Sequence, residues 1–547
     1  MRVKIRGLAP SAHLDTFGRD HLPPQHLWPE FLDDRPELHY PERLNCAVEL
    51  LDAVIDRLGP DRRCLFTPDG ESWTYGELRS TVNRIARVLT GDLGVVAGNR
   101  VLLRGPNNPW LVACWFAVLK AGAVAVTTMP LLRASELTTI ARISRVDLAL
   151  CDARFVDDLL AADLGDAPVV TYGATRPDDL TARVVGVPDD FAAVDTSADD
   201  VALLAFTSGT TGRPKATMHF HRDVLAVTDT FSRHIVRPTP DDVFTGTPPL
   251  AFTFGLGGLL LFPLRVGAAT LLIEKASPDA LVDAIVTNEV SVCFTAPTAY
   301  RAMLRSGSAE RLSSLRCAVS AGEHLPESTW HAFFETTGLR LIDGIGSTEL
   351  LHVFVSAADD DIRPGATGRP VPGYRTTLLD VDGNPVPPGT PGRLAVKGPT
   401  GCRYLADDRQ SDYVQNGWNL TGDTFLEDED GYLYYLARND DMIVSSGYNI
   451  AGPEVEEALM VHPAVYECCV VGLPDPERGE IVKAFVVLRE GVLENGALVS
   501  ELQKFVKQQI APYKYPRVVE VVTDLPRSAT GKLQRFLLRQ PPVAEAA

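Results

Sequence analysis

Ala205-Phe206-Thr207-Ser208-Gly209-Thr210-Thr211-Gly212-Arg213-Pro214-Lys215-Ala216 follows on Val201-Ala202-Leu203-Leu204-Ala205, an apolar block of the kind shown by a strand buried on both faces. The chain then turns abruptly to hydroxyls and glycines. Two glycines let the backbone aim its N–H groups at an anion, four hydroxyls add donors, and Lys215 adds a point charge. The run is not a Walker A loop, which needs G-x-x-x-x-G-K-[ST] opening a helix. Pro214 biases Arg213 away from helical angles, so the segment reads as a loop free to fold over a triphosphate.

Outward from this loop, length and composition bound the answer. The 547 residues exceed one ordinary domain. A formal charge of −19 argues against nucleic acid or an anionic membrane as partner, and it means that a polyanionic ligand must be held by local cations. The nine cysteines form no CxxC pair, so reduced core thiols are expected rather than a disulfide framework or a zinc site. The first residues lack a signal-peptide core, and the apolar runs are too short to span a bilayer, so the expected location is cytoplasmic with no membrane partner.

Residues up to about Asn45 read as an extended, Pro-rich arm lying on the body, followed by a helical pattern over Asn45–Leu58. Thr74 to Glu77 reads as a capping box opening a helix through Leu89, and Asn108-Pro109 starts another through Ala121. Strands are expected at Val101–Arg104, Ala123–Thr127, Val146–Leu150, Ala269–Ile273, Ser291–Thr295 and Leu315–Val319, with helices between them. Such alternation means layered, mostly parallel sheets in an α/β domain. After Gly365 frequent Pro and Gly punctuate short strands such as Arg393–Lys397, a small β-rich subdomain. A compact α+β piece closes the chain, with helices at Pro453–Met460 and Val499–Gln509 and strands at Cys468–Val471, Ala484–Leu488 and Val518–Val522. The expected division is 1–439 and 440–547.

Five later strings carry further chemistry. In Asp343-Gly344-Ile345-Gly346-Ser347-Thr348-Glu349 the glycines permit close approach to a nucleotide, Thr348 suits a phosphate oxygen, and Glu349 suits Mg²⁺, for which one carboxylate suffices beside phosphate oxygens. The others are Ser320-Ala321-Gly322-Glu323, Thr421-Gly422-Asp423, Ala437 to Tyr448, and Pro526-Arg527-Ser528-Ala529-Thr530-Gly531-Lys532. With T-S-G-T-T-G-x-P-K these strings, in this order, resemble the adenylate-forming superfamily of acyl-CoA synthetases, adenylation domains and luciferases.

That resemblance implies a large AMP-binding domain followed by a small mobile one, with ATP, Mg²⁺ and CoA as co-substrates and cofactor. It implies that Thr207, Ser208, Gly209, Thr210, Thr211, Gly212 and Lys215 hold phosphates, that Gly322 and Glu323 pack the adenine, and that Asp343, Gly344, Gly346 and Ser347 line the nucleotide. Asp423 and Arg438 would take the ribose, Asp440 would be the hinge, and Ser446, Gly447 and Tyr448 would line the CoA passage. Thr348, the metal ligand Glu349 and the mobile Lys532 would be catalytic. Ala437 and Val444 depart from the usual Gly and Lys, which touches only the hinge.

Substrate choice is expected near Phe252, Phe254, Gly255, Gly346 and His352, where aromatic side chains beside glycines suit a flat ring. The strings F-T-F-G-L-G-G and D-G-I-G-S-T-E-L-L-H resemble benzoate-type ligases. Ser11 to Pro24, Leu44 to Ala47 and Gly447 to Pro453 are similar to 2-aminobenzoate–CoA ligases. A small aromatic carboxylic acid is therefore expected, 2-aminobenzoate ahead of benzoate. An enzyme loading a separate carrier protein and a non-catalytic nucleotide or aryl-acid binder stand as alternatives, and a homodimer is left open.

Overall fold

Short aliphatic and β-branched runs bounded by Gly, Pro and Asp set the strands. The computed structural model describes residues 7–208, 214–275, 277–438, 441–445, 448–475, 478–527 and 533–539. The chain divides into two compact units, Met1–Thr376 with Val396–Asn419, and Thr377–Ala395 with Leu420–Ala547.

The first unit carries two large sheets. One has six strands in the order Val169–Tyr172, Leu148–Asp152, Arg100–Arg104, Val124–Thr128, Val201–Ser208, Pro214–Phe220, parallel but for the last. The other has nine, running Arg369–Pro370, Val353–Ser356, Ile342–Gly346, Cys317–Ala321, Val292–Thr295, Val243–Gly246, Ala269–Leu271, Arg63–Phe66, Ser72–Thr74, with antiparallel strands only at its ends. Helices Pro278–Thr287, Pro297–Ser306 and Glu327–Thr337 bury Leu281, Ile285, Tyr300, Met303 and Phe333 in the core of this second sheet. The α/β class and its parallel layering are as expected.

Local signals held where they were local. The Thr74 hydroxyl accepts from the Glu77 N–H and the Glu77 carboxylate accepts from the Thr74 N–H, closing the capping box. Asn108 likewise caps Pro109–Lys120. The first of these helices is regular to Arg87, and a wider π turn, Val88–Asp92, replaces its expected last residues. The strand expected at Val146–Leu150 begins at Leu148, because Arg145 ends the preceding helix in a left-handed conformation and Asp147 still closes onto the Arg100 carbonyl. The reading of a free loop gives no hint that Pro214–Phe220 is a strand. Proline stands at its first residue, a position that sheets tolerate.

The arm lies on the body as expected. Leu14 and Asp15 donate to the Ala97 carbonyl, and Gly98 turns there with φ +92°, where a Cβ would meet the Asp15 carbonyl at 2.1 Å. All nine cysteines are free and buried. Among the described residues no helix is long and apolar enough to cross a membrane.

In the second unit, strands Ile443–Ser445, Gly479–Leu488 and Val465–Asp475 form a sheet joined by Tyr448–Ile450 and Val518–Val521, with helices Gly452–Met460 and Gly496–Gln509. The second of these helices starts before the expected Val499, since the Asn495 side chain caps it through the Leu498 N–H. The long hairpin strands exceed the expected Cys468–Val471 and Ala484–Leu488 because they pair without a break from Glu467 to Asp475, and again at Val465 beyond one register shift.

One ion pair ties the first unit together. The Arg403 guanidinium, fully buried, donates to Asp223 at 2.7 Å and stands 3.9 Å from the Phe220 ring and 4.5 Å from Phe31 of the arm. Burial alone would raise the Asp223 carboxyl, yet Arg403 and Arg222 hold it below the usual range. Removing one partner strands the other charge in the core. Asp223→Ala is expected to cost about 3–5 kcal/mol, and Asp223→Ala with Arg403→Met to recover most of it, in urea unfolding followed by tryptophan fluorescence. A loss in the single variant no larger than an average surface substitution would refute this anchoring role.

Candidate active site

The antiparallel pair Val201–Ser208 and Pro214–Phe220 sets Thr207 opposite Lys215. Gly209, Thr210, Thr211 and Gly212 lie outside the described residues, so the strands flanking the loop carry what is observed. Lys215 Nζ donates to the Tyr404 hydroxyl at 3.0 Å and stands 4.7 Å from that ring's centre. The Tyr404 hydroxyl in turn donates to Glu349 Oε1 at 2.6 Å. Lysine, phenol and carboxylate thus form one hydrogen-bonded chain from the loop to the proposed metal ligand.

Glu349 and Thr348 follow strand Ile342–Gly346. The backbone carbonyl of Thr348 accepts from His219 Nε2 at 2.8 Å. Burial pushes the His219 ring down to about 4, so at neutral pH it is the uncharged tautomer with its proton on Nε2. Ser347 Oγ accepts from the Leu350 N–H and meets the Tyr413 hydroxyl at 3.3 Å. Neither Tyr404 nor His219 was singled out in the sequence. The only hint is an aromatic–basic pair, Arg403-Tyr404, in a loop-rich stretch.

Gly344 and Gly346 let strand Val353–Ser356 approach: a Cβ on Gly344 would meet Val353 Cγ1 at 2.7 Å, and one on Gly346 the His352 carbonyl at 2.7 Å. Gly322 follows strand Cys317–Ala321 with φ +91°, and half-buried Glu323 comes next. Asp343 Oδ1 is buried without a hydrogen-bond partner, beside a small cavity lined by Leu325, Trp330, Arg363 and Thr367. Desolvation pushes this carboxyl up to about 8.

Of the residues expected to set substrate choice, Phe254 and Gly346 lie against His352. Its ring centre is 5.7 Å from Phe254, 4.6 Å from Phe262 and 5.3 Å from Phe231, and Phe294 stands 5.5 Å from Phe254. Phe231, Phe262 and Phe294 are fully buried core, whereas Phe252 and Phe254 are half-buried. Burial pushes His352 down to about 3, and neither ring nitrogen has a formed hydrogen bond, although the Phe254 carbonyl acts on the ring. Gly257 makes room, since a Cβ there would meet His352 Cδ2 at 2.3 Å. Gly255 is held against the Pro248 and Pro249 carbonyls.

In the second unit Asp423 and Arg438 face each other across strands Trp418–Glu427 and Leu433–Arg438, with Arg438 Nη1 3.1 Å from Asp423 Oδ1. Gly422, inside the first of these strands at φ +80°, leaves room for the guanidinium, whose Nη2 would stand 3.0 Å from a Cβ there. Asp440, Ser446, Gly447 and Lys532, with the side chain of Tyr448, lie outside the described residues.

Among the described residues no three His, Cys, Asp or Glu side chains gather to hold a metal. A single buried carboxylate, Glu349, nevertheless fits magnesium brought in by a nucleotide, because that ion keeps water and takes phosphate oxygens beside one or two carboxylates.

Residues 53–404 match the family described as AMP-binding enzyme, and residues 454–532 match the AMP-binding enzyme C-terminal domain. The benzoate–CoA ligase of Thauera aromatica is 35% identical over 514 residues, covering 92% of this chain and 97% of that protein. The 3-hydroxybenzoate–CoA ligase of Aromatoleum sp. (strain CIB) is 34% identical, covering 91% and 97%. A solved anthranilate CoA ligase, AuaEII in complex with anthranoyl-AMP, superimposes with a TM-score of 0.86 at 32% identity over 92% of this chain and 98% of that one. The chain belongs to the AMP-binding enzyme family. Within it, the chain stands with the AMP-forming acyl-CoA synthetases, acid–thiol ligases of the adenylate-forming class.

The state of Asp343 has a consequence for stability. Its carboxyl binds a proton more tightly folded than unfolded, so the stability this gives is full below the unfolded value and is lost as pH rises through about 8. Asp343→Asn is therefore expected to gain on the unmodified protein in Tm steadily between about pH 5 and about pH 8.5. A Tm difference flat across that window would show that the carboxyl is not held protonated.

Proposed function

We propose that the chain is an ATP-dependent aryl-acid–CoA ligase acting on 2-aminobenzoate ahead of benzoate. The observation that carries the aryl reading is the half-buried Phe254 ring, tilted against Phe294 and His352 at the margin of a buried aromatic set. A wall of aromatic side chains favours a flat aromatic guest over a flexible chain. A neutral imidazole without a formed partner supports a polar substituent on that ring. The activities named for the relatives support the same reading.

In the first half-reaction a carboxylate oxygen attacks the α-phosphorus of ATP, the bond to the bridging oxygen breaks, and pyrophosphate leaves. The protein's task is positioning and charge neutralisation. Lys215 and the loop Thr207 to Gly212 hold the leaving phosphates, with Thr348 at the α-phosphate. Glu349 holds Mg²⁺, which when bound screens the phosphate charge. Gly322, Glu323, Asp343, Gly344, Gly346 and Ser347 receive the base and sugar, and Asp423 and Arg438 take the ribose hydroxyls. Lys532, from the 440–547 domain that hinges at Asp440, neutralises the attacking carboxylate and the α-phosphate. In the second half-reaction the CoA thiol, arriving past Ser446, Gly447 and Tyr448, attacks the acyl carbon. It loses its proton to solvent as AMP leaves with the electron pair of the broken acyl–oxygen bond.

A panel of acids with ATP, Mg²⁺ and free CoA, scored by AMP and thioester, tests this reading, and AMP formation without thioester release would shift it to a carrier-loading enzyme. Lys532→Ala is expected to abolish adenylation while leaving thioester formation from supplied acyl adenylate largely intact; equal loss of both would refute its role. Phe254→Ala is expected to raise the KM of aryl acids about tenfold, as for loss of a large buried contact. Unchanged selectivity would remove Phe254 from the acid site.

A further inference from the structure

Tyr404 is fully buried yet spends its hydroxyl on two charged groups of the proposed nucleotide site. A phenol has one proton, and here it goes to Glu349 Oε1 at 2.6 Å, while an oxygen lone pair receives Lys215 Nζ at 3.0 Å. The geometry answers two costs. A buried carboxylate without a donor would lose its hydration uncompensated, and an ammonium beside the loop would otherwise swing freely on four methylenes. Tyr404 itself has little freedom. Its N–H donates to Gln410 Oε1 at 2.8 Å, its ring packs against Tyr413 at 5.8 Å, and its neighbours pair along strand Pro214–Phe220 through Met218 N to Arg403 O and Leu405 N to Ala216 O.

We propose that Tyr404 is a positioning residue for ATP activation, holding the Glu349 carboxylate for the metal and keeping Lys215 in reserve until a triphosphate takes it over. The proposal rests on the nucleotide reading above. When ATP arrives, the ammonium trades a neutral phenol oxygen and a ring face for anionic phosphate oxygens, a stronger partner. The phenol keeps its proton on Glu349, so the carboxylate does not turn as its cationic neighbour departs. Occupancy by metal and occupancy by phosphate are thereby linked through one hydroxyl.

Tyr404→Phe separates the two duties, because the ring and its packing stay and only the hydroxyl goes. ATP binding is measured by calorimetry across a Mg²⁺ titration, with no turnover required, and folding by Tm. The Mg²⁺ concentration giving half-maximal ATP affinity is expected to rise about tenfold, the size of one hydrogen bond to a charged group. Affinity for ATP without Mg²⁺ is expected to hold or improve, since Lys215 is released. A Mg²⁺ midpoint unmoved in the variant, or equal loss with and without the metal, would overturn the proposal and leave Tyr404 as packing. A wild-type chain that binds no ATP at any Mg²⁺ concentration would instead overturn the nucleotide reading itself, and this proposal with it. Should the variant fold poorly, a crystal structure of the unmodified chain with Mg²⁺ and ATP decides. Lys215 is expected on phosphate with Tyr404 still on Glu349, and a retained Lys215–Tyr404 contact overturns the idea.

Discussion

A guanidinium sealed in a hydrophobic interior constrains how the first unit can pack. Arg403 has no exposed surface; its charge is met by one carboxylate, the Met218 carbonyl and the faces of Phe220, Phe31 and Trp28. Two of its nitrogens have no hydrogen-bond partner, so the arrangement is not an economical source of stability. What it secures is register. Arg403 and Tyr404 are consecutive on an extended segment paired with strand Pro214–Phe220, so their side chains point to opposite faces. A slip by one residue would either bring the guanidinium onto Lys215 and Glu349 with Cys402 in the aromatic slot, or move the phenol into that slot and set Leu405 against Glu349. The buried cation makes that slip untenable.

The same segment answers the difficulty posed by a chain with a formal charge of −19. Long-range attraction for polyanions is not available, so binding must come from short-range, well-aimed donors. Lys215 is aimed by a phenol, Thr348 by the neutral His219 ring, and Glu349 by the same phenol that receives the lysine. These second partners come from strand Pro214–Phe220 and from the segment beside it. One short strand thus organises both the cation and the carboxylate of the proposed phosphate site.

The parts of this molecule legible in the sequence are those whose physics is local. Capping by Thr74 and Asn108 depends on residues three apart and was readable. The strand at Pro214 was not, because the ladder that compensates a missing N–H is supplied by a partner strand. The motif residues themselves announced the loop, Thr348 and Glu349. Tyr404 and His219 could not be announced, since their value lies in contacts 189 and 129 residues away in the chain. No periodicity encodes such pairs.

The aromatic cluster shows how the same limit bears on substrate choice. The sequence offers Phe252 and Phe254 as a ring-binding wall, and the fold brings three further phenylalanines against Phe254 and His352. Burial divides them: Phe231, Phe262 and Phe294 have no surface to offer, while Phe252 and Phe254 do. The inner three still matter, because close packing leaves the outer ring and His352 few alternative positions. An uncharged imidazole fixed by three phenylalanines cannot compensate the acid's carboxylate, since burial keeps it neutral well below physiological pH. Its service to a substrate is limited to donating or accepting one hydrogen bond. Recognition of the acid's charge must therefore come from elsewhere, and recognition of the ring and its substituent can be local to this cluster.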